Sequence, residues 1–309
     1  MTTPFIAGWR RQPLDHRDYR FVVPKSITDV LPPSIDLSAN MGPNLDQGSL
    51  GSCGPNTADE CIAYDQKAES LSVGSSRLFT YYNTRAIMGT INQDSGVDNR
   101  SMLKALNQYG FCAETTWPYT IAQFKTKPPQ AAYDEASGNK IDNYAAVIQS
   151  LSQMKGCLVT GRPFIFGFDV FDSMLSDLVA QTGIVPDPGG MVAGGHDVTI
   201  FAYDDNGFGG RIQGGCFKFR NHWAGPNNGW WGDNDCGYIS YNYATSQYAS
   251  DFWVVNAIPQ NPQPSPSPAP SPPVPKKPCR RLYRAGYEFG QAVVDVTCSL
   301  FAKHFGEER

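Results

Sequence analysis

The sequence predicts an α+β fold, with helices in its first half and strands in its second. Three observations carry this. Apolar residues recur at helical spacing between Cys53 and Tyr109. From Phe164 to Val255 that spacing gives way to short runs rich in aromatic and β-branched residues. The chain has 309 residues, 41% hydrophobic and 12% aromatic, enough for a full core. Helices and strands segregated along a chain favour α+β over alternating α/β.

The elements follow in order. Residues 1–30 read as a strap packed on the domain or as a segment lying across a cleft, with His16 at the surface. Leu31-Pro32-Pro33 forms an extended junction, since proline keeps the residue before it out of the helical region. A first helix is expected from Asn56 through Ala58, Cys61, Ile62 and Tyr64. A second covers Ser76 to Arg85, apolar at Leu78, Phe79 and Tyr82. After a turn at Asn92–Asp98, a third runs from Ser101 and stops at Gly110. Ile148 to Met154 reads as a short helix. Strands are expected at Phe164–Phe171, from Gly194 to Asp205, and from Cys216 to Trp223. Two more follow, at Gly237–Ser240 and Phe252–Val255. The glycine-rich piece Asp205–Gly210 is a hairpin loop by composition. Residues 259–278 alternate proline with Ser, Gln and Ala, an extended linker without a core. Residues 279–309 carry the apolar spacing of one amphipathic helix.

Composition excludes several classes. The formal charge of −4, from 25 basic and 29 acidic residues, makes no case for nucleic acid as a partner. No apolar run is long enough for a membrane span. The first residues lack the apolar core of a signal peptide, so an intracellular location is expected. None of the 8 cysteines forms a C-x-x-C pair, so neither a zinc site nor any other metal or cofactor is expected. Buried thiols are favoured over bridges.

The chemistry centres on Asp46-Gln47-Gly48-Ser49-Leu50-Gly51-Ser52-Cys53-Gly54-Pro55-Asn56. A cysteine at the entry to a helix meets the partial positive charge of the helix N-terminus, which favours thiolate. Gln47 lies close enough along the loop to aim its amide at the same spot, and the glycines allow close approach of a substrate backbone. This stretch resembles the nucleophile segment of the papain-like cysteine proteases. Gln47, Gly48, Ser49, Gly51, Ser52 and Cys53 match that pattern, while Leu50 replaces the family's first cysteine and Gly54 its tryptophan. The missing partner cysteine again favours a reducing compartment.

The partners that such a thiol needs occur downstream. Gly194-Gly195-His196, followed by an apolar strand and Tyr203-Asp204, resembles the family's histidine strand, with Asp197 in place of the usual alanine. Asn221-His222-Trp223, then Gly229-Trp230-Trp231-Gly232 and Gly237-Tyr238, resembles its asparagine segment, with His222 in place of serine. A serine restored at 222 is therefore expected to be tolerated. The resemblance implies two lobes, a helical left one and an antiparallel β-barrel-like right one, with the cleft between. It spans residues 31–258 and leaves out the tail. It implies Cys53 as nucleophile, His196 as acid and base, Asn221 as orienter and Gln47 as oxyanion donor. Substrate-lining positions by the same resemblance are Gly51, Ser52, Gly96, Gly195 and Trp223. The implied activity is hydrolysis of protein or peptide substrates, from a chain held back as a zymogen in the short-segment manner of bacterial and viral members. The proline-rich tail would serve a docking partner. Two rivals share the fold: a catalytically altered binding or scaffold protein, and a thiol acyltransferase or amidase.

Overall fold

The computed structural model describes residues 6–68, 74–223 and 229–257; the expectations for 259–309 lie outside them. The N-terminal segment contributes strand β1 (Arg20–Phe21), the short helix α1 (Lys25–Thr28) and strand β2 (Ser34–Asp36). Helices α2 (Cys53–Ala68), α3 (Arg77–Met88), α4 (Asn99–Gln108) and α5 (Gln130–Ser137) follow. Then come β3 (Ile141–Val147), α6 (Leu151–Val159), β4 (Phe164–Phe171), α7 (Asp177–Thr182), β5 (Val192–Asp204), the turn-like α8 (Gly207–Gly210), β6 (Cys216–Arg220), β7 (Cys236–Ser240), α9 (Tyr241–Thr245) and β8 (Ala249–Ala257).

The helices end where their chemistry says they should. Ser76 caps α3 by accepting the Phe79 N–H, and Asp98 caps α4 by accepting the Ser101 N–H. Gly110 follows α4 with φ +80°, and its missing Cβ leaves room for the carbonyl of Ala136. The first long helix begins at Cys53 rather than at the expected Asn56. Ser52 supplies the half-helical residue before it, its carbonyl accepting the Asn56 N–H at 3.1 Å.

The strands form one sheet in the order β1-β3-β8-β4-β5-β6-β7, with β2 added on β5. All pairs are antiparallel except β1 with β3. One core fills the strand half, around Phe164, Phe166, Phe168, Val198, Ile200 and Phe217. A second joins α2, α3 and α4 through Ile62, Leu78, Met102 and Leu106, and reaches the sheet at Ile165, Trp253 and Val255. The mixed α+β architecture has a helical half packed against a strand half, and α2 runs along the seam. Register places β4 at the centre: Gly167 lies opposite Asp197 of β5 on one side and Ser250 of β8 on the other.

Candidate active site

Cys53 is the first residue of α2 and is fully buried. Its sulfur receives backbone N–H groups from Gly54 and from Asp197, the residue after His196. These lower the thiol pKa, yet burial and then the Asp197 carboxyl outweigh them and hold the thiol well above its ordinary value. His196, in β5, is also fully buried, and its Nε2 lies 2.8 Å from Asn221 Oδ1. An amide oxygen accepts only, so Nε2 carries the ring proton there and Nδ1 is left as the basic nitrogen. Burial, and after it the charge of His222, bring His196 down to about 3. Asn221 sits just past the end of β6, its N–H held by the Asp235 carbonyl at 2.8 Å. Trp223 covers the imidazole with ring centroids 4.4 Å apart.

The Gln47 loop is tied from several sides. Its N–H donates to the His222 carbonyl at 2.9 Å, and its carbonyl accepts the Tyr119 hydroxyl at 2.9 Å. One hydrogen of its amide donates to the Leu50 carbonyl at 2.9 Å. A second hydrogen remains on that nitrogen.

The departures from the family pattern have physical partners. A side chain on Gly54 would start 2.7 Å from Val97 Cγ2 and 3.3 Å from Asp197 Oδ2, so no tryptophan fits there. Gly54 and Asp197 thus lie against each other. His222 is fully buried with Nε2 3.3 Å from the buried Glu60 Oε2. Serine at 222, expected to be tolerated, would leave the buried Glu60 without this neighbour. The Ser52 hydroxyl turns under the loop to Tyr119 Oη at 2.5 Å, and Trp223 lies on His196.

Gly51, Gly96 and Gly195 all face the N-terminal segment, which sequence reasoning did not trace in detail. Gly8 and Trp9 donate their N–H groups to the Gly195 carbonyl at 3.1 and 3.3 Å. Arg10 donates to the Val97 carbonyl at 2.9 Å, and Val97 donates to that of Gly8 at 2.8 Å. A Cβ on Gly8 would lie 2.8 Å from the Cys53 sulfur and 2.6 Å from the Gly51 carbonyl oxygen. A Cβ on Gly96, whose φ is +65°, would meet the Gly8 carbonyl in the same way. Farther along, Arg11 pairs with Asp169 at 3.2 Å, and the Gln12 N–H reaches Asp251 at 2.9 Å. Arg100 clamps Asp18 through two nitrogens. So the segment lies across Cys53 and is anchored on both halves.

The six described cysteines are all unbridged and buried. No helix among the described residues is long and apolar enough to cross a membrane.

Comparisons with known proteins agree with one another. The chain is 34% identical over 227 residues to an uncharacterized peptidase C1-like protein of Acanthamoeba polyphaga mimivirus, covering 69% of this chain and 70% of that one. It resembles the crystal structure of xylellain, a cysteine protease from Xylella fastidiosa, with a TM-score of 0.74 and 32% identity over 82% of this chain and 96% of that one. A procathepsin B from Trypanosoma congolense shares the fold at a TM-score of 0.63 and 14% identity, over 82% and 87%. No family model matches the chain.

Proposed function

The chain belongs to the papain-like C1 cysteine peptidases, and from that premise we propose that Cys53, His196, Asn221 and Gln47 form its catalytic set. It is a cysteine endopeptidase, hydrolysing peptide bonds through an acyl-enzyme. The observation that carries the residue assignment is the His196–Asn221 hydrogen bond of 2.8 Å beside a cysteine that opens a helix.

In this reading the thiol proton passes to Nδ1 of His196, and the sulfur attacks the substrate carbonyl carbon. The carbonyl oxygen takes the negative charge, and the Cys53 N–H with the second amide hydrogen of Gln47 donates to it. The carbon–nitrogen bond then breaks as the imidazolium returns its proton to the leaving amine. Water, deprotonated by the same imidazole, releases the acid and restores the thiol. Asn221 holds one tautomer throughout without adding charge. Cys53→Ala, which fits the same helix start, should remove turnover of a peptide library while the folded melt persists. Turnover within tenfold of wild type would sink the assignment.

Residues 1–30 act as a tethered inhibitor in this reading, supported by Gly8 against the sulfur. A tether gives an effective concentration of about millimolar, so weak contacts suffice. The peptidase domain is proposed as 31–258, followed by the linker 259–278 and a docking tail 279–309. Unbridged buried thiols support an intracellular setting.

A further inference from the structure

The peptidase reading says which bond is attacked, and a slot beside Cys53 says which substrate side chain is favoured. Three cross-strand neighbours share one face of the sheet: Asp197 of β5, Gly167 of β4 and Ser250 of β8. The middle one has no side chain, so the row has a gap. Trp9 fills it. A Cβ on Gly167 would lie 2.5 Å from Trp9 Nε1 and 2.5 Å from Cε2, and a Cβ on Gly195 would lie 2.7 Å from Cε3. Two glycines on adjacent strands therefore leave a flat slot that admits a planar group and would be closed by any larger residue.

The slot's walls are polar, and its occupant does not satisfy them. Asp197 is fully buried; Asn99 donates to its Oδ1 at 2.9 Å, while Oδ2 has no hydrogen-bond partner. Trp9 Nε1 is likewise buried without a partner, and the Ser250 hydroxyl has only the neighbouring Asp251 carboxyl to turn to. A buried acceptor left unmet is costly. The rim is acidic too: Asp169 lies on the same face as Asp197, one step along each strand from the Gly167 pair. A guanidinium already rests at that rim, where Arg11 pairs with Asp169 and lies 5.5 Å over the Trp9 ring. Trp9 thus matches the slot in shape and leaves its acceptors open.

Resting on the peptidase reading, we infer that this slot selects arginine in the substrate, at the residue on the amino side of the one whose carbonyl is attacked. The guanidinium is planar like the indole and brings five N–H donors in fixed directions, enough for Asp197 and Ser250 together. Position follows from the strap. Gly8 holds the ground next to the sulfur, so the residue adjoining it takes the slot. The acyl half of a substrate must stay bound through both chemical steps, whereas the amine half leaves after the first. The backbone ladder of Val97 and Gly195 therefore serves the acyl half.

The test is a peptide series differing only at that residue, with Arg, Lys, Phe and Leu, given to the full chain. Arginine should exceed phenylalanine about 10- to 100-fold in kcat/KM, the range of one or two charge-assisted hydrogen bonds. Lysine should fall below arginine because it cannot fill a flat slot. Asp197→Ala should bring the Arg:Phe ratio to within about threefold of unity, and Ser250→Ala should reduce it in part. The same ratio read as binding to the Cys53→Ala protein tests the slot without any turnover, so failure of the slot and failure of the peptidase assignment are separate results. Phenylalanine or leucine equal to or above arginine in both readouts overturns the inference, as does an Arg:Phe ratio that Asp197→Ala and Ser250→Ala leave untouched.

Discussion

Adding one carbon at position 8 should switch the enzyme on. Gly8 is buried against the nucleophile, and it is not among the glycines with left-handed backbone, so alanine meets no torsional penalty there. Its Cβ does meet atoms: 2.6 Å to the Gly51 carbonyl oxygen, 2.7 Å to the Gly51 carbonyl carbon and 2.8 Å to the Cys53 sulfur. Backbone atoms that belong to the nucleophile loop cannot give way cheaply, so the strap must lift. Overpacking of this kind costs about 1–3 kcal/mol. At 1.4 kcal/mol per tenfold, the docked-to-open ratio falls about 5- to 150-fold. Anchors farther along, at Arg100–Asp18 and Arg11–Asp169, keep the lifted strap attached. The assay is twofold: initial rate on a fluorogenic peptide, and rate of Cys53 alkylation by iodoacetamide, with a thermal melt as the control for folding. Both rates should rise together within that range in Gly8→Ala. Unchanged rates with an unchanged melt would show that the strap does not limit access to the sulfur, and the inhibitor reading would fall.

Three further outcomes follow from the site. Burial raises the Cys53 thiol and lowers His196 to about 3, so with the strap docked both groups are neutral; alkylation of wild type should climb with pH through neutrality, while Gly8→Ala should hold a plateau into the acid range, and superimposable profiles would contradict this. His222→Ser leaves the buried Glu60 without the imidazole that lies 3.3 Å from it, which should cost about 3 kcal/mol and lower Tm by roughly 6–12 °C, with Glu60→Gln in the same chain restoring part of it; a melt within 2 °C of wild type would rule out the pair. Ending the chain after Ile258 retains all of β8, so peptide turnover and Tm should match full length, and an inactive or insoluble product would assign the tail a place in the fold.

Local chemistry made much of this legible. The strand Phe164–Phe171 announces itself by six aromatic or branched residues among its eight, and the α4 cap by Asp98 before a helical run. The catalytic candidates stood out because each carries its own flanking pattern. Other parts had no local signal. The helix start at Cys53 hides behind Gly54 and Pro55, residues that composition assigns to a loop. Strand β3 alternates poorly, since its middle is half-exposed, and α7 is only six residues long. His222 reads as a stray polar residue until Glu60, a distant helix position, is found against it. Trp9 is the clearest case: its pocket exists only once three strands, far apart in sequence, are in register.

The bracing of Gln47 has a mechanical consequence. Its N–H is held by the carbonyl of His222 on the strand side, and its own carbonyl by Tyr119 on the helical side. Gly51 adds a third tie, donating to both oxygens of Asp94 at 3.1 Å. The Gln47 loop is therefore a rivet through both halves, and the walls of the groove cannot part without breaking it. A rigid mould does not close around its guest. The freedom lost on association then falls almost wholly on the incoming peptide, which has to be drawn out straight before it seats. Ligands already locked in an extended shape enter with that loss behind them, and a flexible peptide of the same sequence does not.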